Sequence, residues 1–333
     1  MSDRMMRRRE FITLLGGAAA AWPLVARAQQ TDRVRRIGAL MGGAENAEGR
    51  AWVAGFVQGL SALGWTAGRN MELDVRWAAG ETQAMNAAAA ELVKLDPDVI
   101  LARGSRAIIA ARQETASTPI VFVGGADPVG LGFVASMARP GGRVTGFTIY
   151  EETGVGKLLE MLREASPTVD RALLLHHLDN PTGPGYRAAF ETAASLLRVK
   201  PSTVPVKNEE EVARAIERFG QEPNGGLIAA PDQFLTSHAD LITRLATRYA
   251  LPAAYPYREF VRSGALIVYT ADIVDLFRRA AAYVDRVLRG EKPGELPIQA
   301  PVKFELIVNL KTAKTLGLTI PLTLLARADE VSE

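Results

Sequence analysis

Short polar residues that directly follow apolar runs carry whatever chemistry this chain has. Ala44, Gly104, Ser105, Asp127, Thr148, Asp232, Tyr255, Tyr269 and Asp272 each stand at or just past the end of a stretch rich in Val, Ile, Leu and Ala, and they form the candidate ligand-binding set. Hydroxyls, carboxylates and tyrosines in that combination hydrogen-bond a small polar ligand and cover its apolar part. Most of these residues also have a local role that would explain them alone. Ser105, Asp232 and Asp272 fall at predicted helix starts, where the same side chains act as caps. Gly104 suits a tight turn, Asp127-Pro128 is a turn dipeptide, and the two tyrosines suit packing between domains. Convergence of the set at one edge is what would make it a site.

No catalytic constellation accompanies these residues. A GxGxxG loop is missing after the first apolar run, and Gly141-Gly142-Arg143-Val144-Thr145-Gly146 precedes a strand where a dinucleotide loop must follow one. Gly154-Val155-Gly156-Lys157 lacks phosphate-loop spacing and is followed by Leu158. There is no nucleophile elbow and no His-Glu-x-x-His. The chain has no cysteine and only 3 histidines. His176 and His177 are adjacent in a predicted strand, so they point to opposite faces and cannot share one ion. We therefore expect no catalytic residues, no metal site and no cofactor. An α/β hydrolase would need Ser105 paired with His177 or His238.

The elements that must position the set alternate between strand and helix from Arg35 onward, which is the pattern of βαβ units and a parallel sheet. A strand over 36–41 ends in Gly42-Gly43. It is followed by a helix whose Trp52, Val53, Phe56, Val57, Leu60 and Leu63 make one stripe before Gly64. Strands over 70–77, 98–102, 119–123 and 143–147, with helices over 82–95, 105–113 and 133–138, complete a five-stranded first lobe. A second lobe follows, with strands over 172–176, 202–206, 226–229, 253–254 and 265–269. Its helices span 154–164, 184–197, 209–219 and 233–249, with a helical turn near Arg258. An amphipathic helix over 273–288, a strand over 303–309 and a short helix over 311–315 form a tail, which implies that the chain crosses between lobes more than once. In such sheets ligands bind outside the carboxyl ends of the strands, where helix amides point outward.

Residues 1–28 read as an export signal and not as part of the fold. Arg7-Arg8-Arg9 opens a basic region of twin-arginine type, Ile12 to Ala21 is a short apolar run, and Ala26-Arg27-Ala28 is a small-x-small cleavage site. An apolar run of about ten residues is half of what crosses a bilayer. Cleavage near Ala28 removes five arginines and two acids, which leaves 34 basic against 35 acidic residues, a net charge of −1. That balance gives no basic face for nucleic acid. Apolar content of 48% with 7% aromatics fits a packed α/β protein.

Several stretches are similar to an ABC-transporter substrate-binding protein family of the tryptophan/tyrosine-permease type. They are Arg8-Arg9-Glu10-Phe11-Ile12-Thr13-Leu14-Leu15-Gly16-Gly17, Arg36-Ile37-Gly38, Pro119-Ile120-Val121-Phe122-Val123, Asp127-Pro128-Val129-Gly130 and Ala138-Arg139-Pro140-Gly141-Gly142. Thr145-Gly146-Phe147, Tyr283-Val284-Asp285-Arg286, Arg289-Gly290-Glu291-Lys292-Pro293 and Asn309-Leu310-Lys311-Thr312-Ala313 extend the match along the mature chain. The resemblance implies a type I periplasmic binding protein with two Rossmann-like lobes, 33–149 with about 274–305 and 150–273 with about 306–333. It implies a small-molecule ligand, an amino acid or related small carboxylate, held in the cleft by Ser105, Asp127 and Thr148 on one side and Asp232, Tyr255 and Tyr269 on the other. It also implies a periplasmic monomer that delivers its ligand to an ABC-type membrane permease, touching the membrane complex only peripherally. A sensing module for a membrane receptor is the other function such a protein serves, whereas the export signal occupies the place of a LacI-like regulator's DNA-binding head. Where relatives carry an Asn-Gly-Thr or Asn-Gly-Ser turn, this chain has Arg103-Gly104-Ser105-Arg106. These two arginines favour an anionic ligand group, unless they extend to solvent as long cations usually do.

Overall fold

The computed structural model describes residues 33–149 and 153–333, so the proposed export signal lies outside the described residues. The first lobe is built on a parallel sheet of five strands in the order β2-β1-β3-β4-β5. These are β1 Arg35–Met41, β2 Met71–Trp77, β3 Val99–Arg103, β4 Ile120–Val123 and β5 Val144–Phe147. β3, β4 and β5 are buried along their whole length, as expected of parallel strands covered on both faces. Helices α1 Ala47–Ala62, α2 Thr82–Lys94 and α3 Ser105–Glu114 connect them. Asn46 caps α1 by accepting from the Gly49 N–H, and Trp52, Phe56 and Leu60 form its buried stripe.

The second sheet has seven strands in the order β12-β11-β10-β9-β8-β6-β7. Here β6 is Arg171–His177, β7 Lys200–Val206, β8 Gly225–Ala229, β9 Ala253–Tyr255, β10 Ile267–Ala271, β11 Phe304–Asn309 and β12 Glu330–Ser332. All pairs are parallel except β10 with β11, because β11 re-enters the sheet beside β10 after an excursion to the other lobe. That excursion is α10 Ile273–Leu288, preceded by α4 Gly154–Ala165, α5 Gly183–Leu197, α6 Glu209–Phe219, α7 Gln233–Ser237, α8 Ala239–Arg248 and α9 Glu259–Arg262. α10 buries Leu276, Phe277, Ala280, Ala281 and Val284 and packs closely on α1. A Cβ on Gly59 would stand 2.8 Å from both the Ala281 Cβ and the Arg278 carbonyl, so the helix contact depends on that glycine. The 293–299 segment is bonded to β5: Thr145 Oγ1 donates to Leu296 O at 2.6 Å, and Gln299 bonds Gly146 and Thr148 through its backbone.

Several expectations change, among them the end of β9, which runs to Tyr255 and not to Ala254. The helix over 133–138 is absent, because Phe133 and Val134 donate to Pro128 O and Ser136 Oγ bonds the backbone of Arg139, which folds the segment into turns. The helix over 233–249 breaks at His238, whose N–H is shared between Phe234 O and Leu235 O while its ring Nδ1 also bonds Phe234 O. β10 ends at Ala271 and not at Tyr269, which leaves Tyr269 in mid-strand. Among the described residues, no helix is long and apolar enough to cross a membrane.

Candidate functional site: the cleft between the lobes

The carboxyl ends of β3 and β4 in one lobe face those of β6, β8 and β9 in the other, and the residues just past them meet. Arg103 ends β3. Gly104, with φ of 90°, turns the chain into α3, so that the cap is Gly104 and Ser105 is the first helical residue. Ser105 Oγ accepts from the Ala126 N–H at 3.2 Å, which ties α3 to the loop after β4. From the other lobe come Asn180, Asp232, Gln233 and Tyr257. A cavity of about 30 Å³ remains between them, lined by Arg103, Ser105, Arg106, Asn180, Asp232 and Tyr257 among others. That volume holds water and no organic ligand, so entry requires the lobes to separate.

Asp232 is the most heavily bonded group in the cleft. Its Oδ1 caps α7 by accepting from Phe234 N at 2.7 Å and Leu235 N at 3.3 Å, and it also faces Arg106 Nη2 at 3.4 Å. Its Oδ2 accepts from Asn180 Nδ2 at 3.0 Å. Arg106 thus spans the lobes, and its Nη1 lies 3.2 Å from His177 Nδ1. The Asp179 N–H also points at His177 Nδ1, which assigns that atom as an acceptor and the ring as neutral. Burial above all, helped by Arg106 and opposed by Asp232, holds His177 below the usual histidine value. Thr82 Oγ1 to Asp179 Oδ2 at 3.2 Å and an Arg262 to Glu48 ion pair add further contacts across the mouth.

Arg103 is different. It is 1% exposed, none of its three guanidinium nitrogens makes a hydrogen bond of good geometry, and its charge acts on the nearby Tyr257 hydroxyl and Glu259 carboxyl. The Trp52 ring centroid lies 5.0 Å from the guanidinium and the Tyr257 centroid 5.5 Å, two cation–π contacts with one ring from each lobe. A Cβ on Gly124 would fall 2.3 Å from Nη1, so only glycine there leaves room for the guanidinium. Glu259 is also buried, with Oε2 unbonded. Burial pushes its carboxyl up to about 7, against the pull of Arg103. Both arginines of the Arg103-Gly104-Ser105-Arg106 turn therefore face inward and not to solvent.

Of the sequence candidates, the cavity gathers Gly104, Ser105 and Asp232. Tyr255 is fully buried in the second lobe, its ring stacked on Phe260 at 4.3 Å, and burial raises its hydroxyl pKa. Asp127 is an exposed turn residue with φ of 42° whose Oδ1 accepts from Gly130 N. Asp272 caps α10 through Asp275 N. Thr148 and Tyr269 instead line a separate pocket of about 300 Å³ with Lys157, Pro301 and Phe304. Ala44, half-exposed after β1, lines neither. Gln233 and Tyr257 were not legible as site residues. Tyr257 follows the true end of β9 by two positions, and placing that end correctly would have found it. Ser105 bonds neither His177 nor His238, whose ring nitrogens face Phe234 O and Glu209.

The profile of the ABC transporter substrate binding protein family matches residues 46–332. The chain is 24% identical over 264 residues to a tyrosine-binding protein of Clostridioides difficile (strain R20291), a match covering 79% of this chain and 76% of that one. A conserved domain protein of Vibrio cholerae superposes with a TM-score of 0.84 at 24% identity, covering 90% of this chain and 100% of the other. An ABC domain from Streptococcus pneumonia in complex with L-Trp superposes with a TM-score of 0.79 at 20% identity, covering 89% and 99%. The chain belongs to the ABC transporter substrate binding protein family.

Proposed function

We propose that this member of the substrate-binding family is exported to the periplasm, closes its two lobes on an amino acid or related small carboxylate, and presents it to an ABC-type membrane permease as a monomer. The relatives' named ligands, tyrosine and L-Trp, are both small carboxylates. The observation that carries the reading is the Arg106–Asp232 contact, which joins α3 of one lobe to the α7 cap of the other at the edge where such sheets bind ligands. Closure then follows from a ligand that touches both lobes and so binds the closed form better than the open one. The groups around the cavity position and desolvate; no step in which a bond is made or broken is assigned to them.

A thermal-shift screen of the purified mature chain against amino acids and small carboxylates tests this. A ligand that binds only the folded protein at 100 times its Kd stabilises it by about 2.7 kcal/mol, a rise of several degrees in Tm. Absence of any shift across a broad panel rejects the capture role.

A further inference from the structure

We propose that the ligand is an organic acid without an ammonium group beside its carboxylate, and that this carboxylate is held by Arg103 at the N-terminus of α3. The proposal rests on the capture reading and narrows its ligand class. Among the described residues lining the cavity, the charged side chains are Arg103, Arg106 and Asp232. Asp232 is already occupied by Arg106, Asn180 and two backbone amides. It is 6% exposed, and four donors already share its two oxygens, three of them on Oδ1 and one on Oδ2. Arg103 has the opposite condition. It is a buried cation lining the cavity, oriented by two aromatic faces, with no anion bonded to it.

Burying such a charge unpaired is costly, and a carboxylate brought in by the ligand removes the cost through a charge-assisted bond. The α3 amides past Gly104 and the Ser105 hydroxyl stand beside the same space, and a helix N-terminus favours an anion. Glu259 does not take the anion's place, since no Arg103–Glu259 ion pair within 4 Å occurs among the described residues and Glu259 does not line the cavity. A zwitterion would set its ammonium among two arginines and a carboxylate that is already bonded. The site thus has a spare cation and no spare anion.

Matched ligand series test this by calorimetry and thermal shift: 4-hydroxyphenylacetate, tyrosine and tyramine, then propionate, alanine and ethylamine. The acid of at least one series is expected to bind tenfold or more tightly than its amino acid, with no binding of the amine. Arg103→Met is expected to lower affinity for that acid at least tenfold while raising the ligand-free Tm, because it removes a buried charge to which no anion is bonded. Arg103→Lys, which keeps the charge, recovers part of the affinity and guards against a misfolded Met variant. Tighter binding of an amino acid or amine overturns the inference and leaves the capture role intact. A lower ligand-free Tm for Arg103→Met with unchanged acid affinity makes Arg103 structural and also overturns it. No binding of these or of a broader panel of solutes removes both readings.

Discussion

The inner end of the cleft, around Arg103, and its outer part, around Arg106, hold the same side chain three residues apart in opposite circumstances. Arg106 reaches across to Asp232 and His177, and its charge is answered by the other lobe. Arg103 meets two aromatic rings and feels Glu259 at a distance, but no carboxylate is bonded to it. A cation matched across an interface serves to join the lobes, whereas one left unmatched in a buried position makes sense as a contact completed by something that arrives. The contrast separates closing from recognition within a single turn of chain.

The strongest way to break the contrast is to remove the shared acid. Asp232→Ala strands Arg106 and Asn180 and uncaps α7, so a loss of about 3–5 kcal/mol in ligand-free stability is expected from denaturant midpoints. If Arg103→Met costs as much, the two arginines are equivalent and the distinction fails. The next effect is a pH dependence. Burial, the leading cause, lifts Glu259 from 4.5 to about 7, while Arg103 and Arg262 act to lower it and Glu48 to raise it. Between those values the folded chain holds the proton that the unfolded chain has released, so stability is complete below about pH 4.5 and falls as pH rises to about 7. The loss is on the order of 3 kcal/mol. Glu259→Gln should flatten that slope in thermal melts from pH 5 to 8; an unchanged slope would place the titration elsewhere.

Smaller effects sharpen the comparison. Gly124→Ala adds a methyl against Arg103 at a φ of 84°. It should cost about 1–3 kcal/mol and weaken acid binding, while the Arg106 contacts persist. Ser105→Ala removes one hydrogen bond to Ala126 N, so a stability change of about 1 kcal/mol is expected. A larger drop in ligand affinity than in stability would place the hydroxyl on the ligand.

Continuous apolar runs such as Val99 to Ala102 and Ile120–Val123 made the sheets readable, because the positions of a strand buried on both faces are nearly all apolar. The edge rule then reached Gly104, Ser105 and Asp232, which line the cavity. It reached Tyr255 and not Tyr257, the tyrosine that lines the cavity, since the end of β9 is fixed by pairing of Val268 with Tyr255 and not by any local signal. Asp127 and Asp272 serve their own turns and caps, and a sequence offers no way to tell such carboxylates from Asp232, which caps α7 and also faces Arg106. The Arg106–Asp232 contact joins residues 126 apart, and no spacing announces it.

The seam between β5 and the 293–299 segment has one mechanical consequence. Thr145 bonds Leu296, Tyr283 bonds Pro297 at 2.7 Å, and Gln299 is clasped by Gly146 and Thr148, so this return segment travels rigidly with the first sheet. Torsional freedom in that return connection is left only past Gln299, close to the seam. Any bend of that connection therefore starts at or beyond Gln299, so that a rotation there would part Arg106 from Asp232 while leaving the seam bonded.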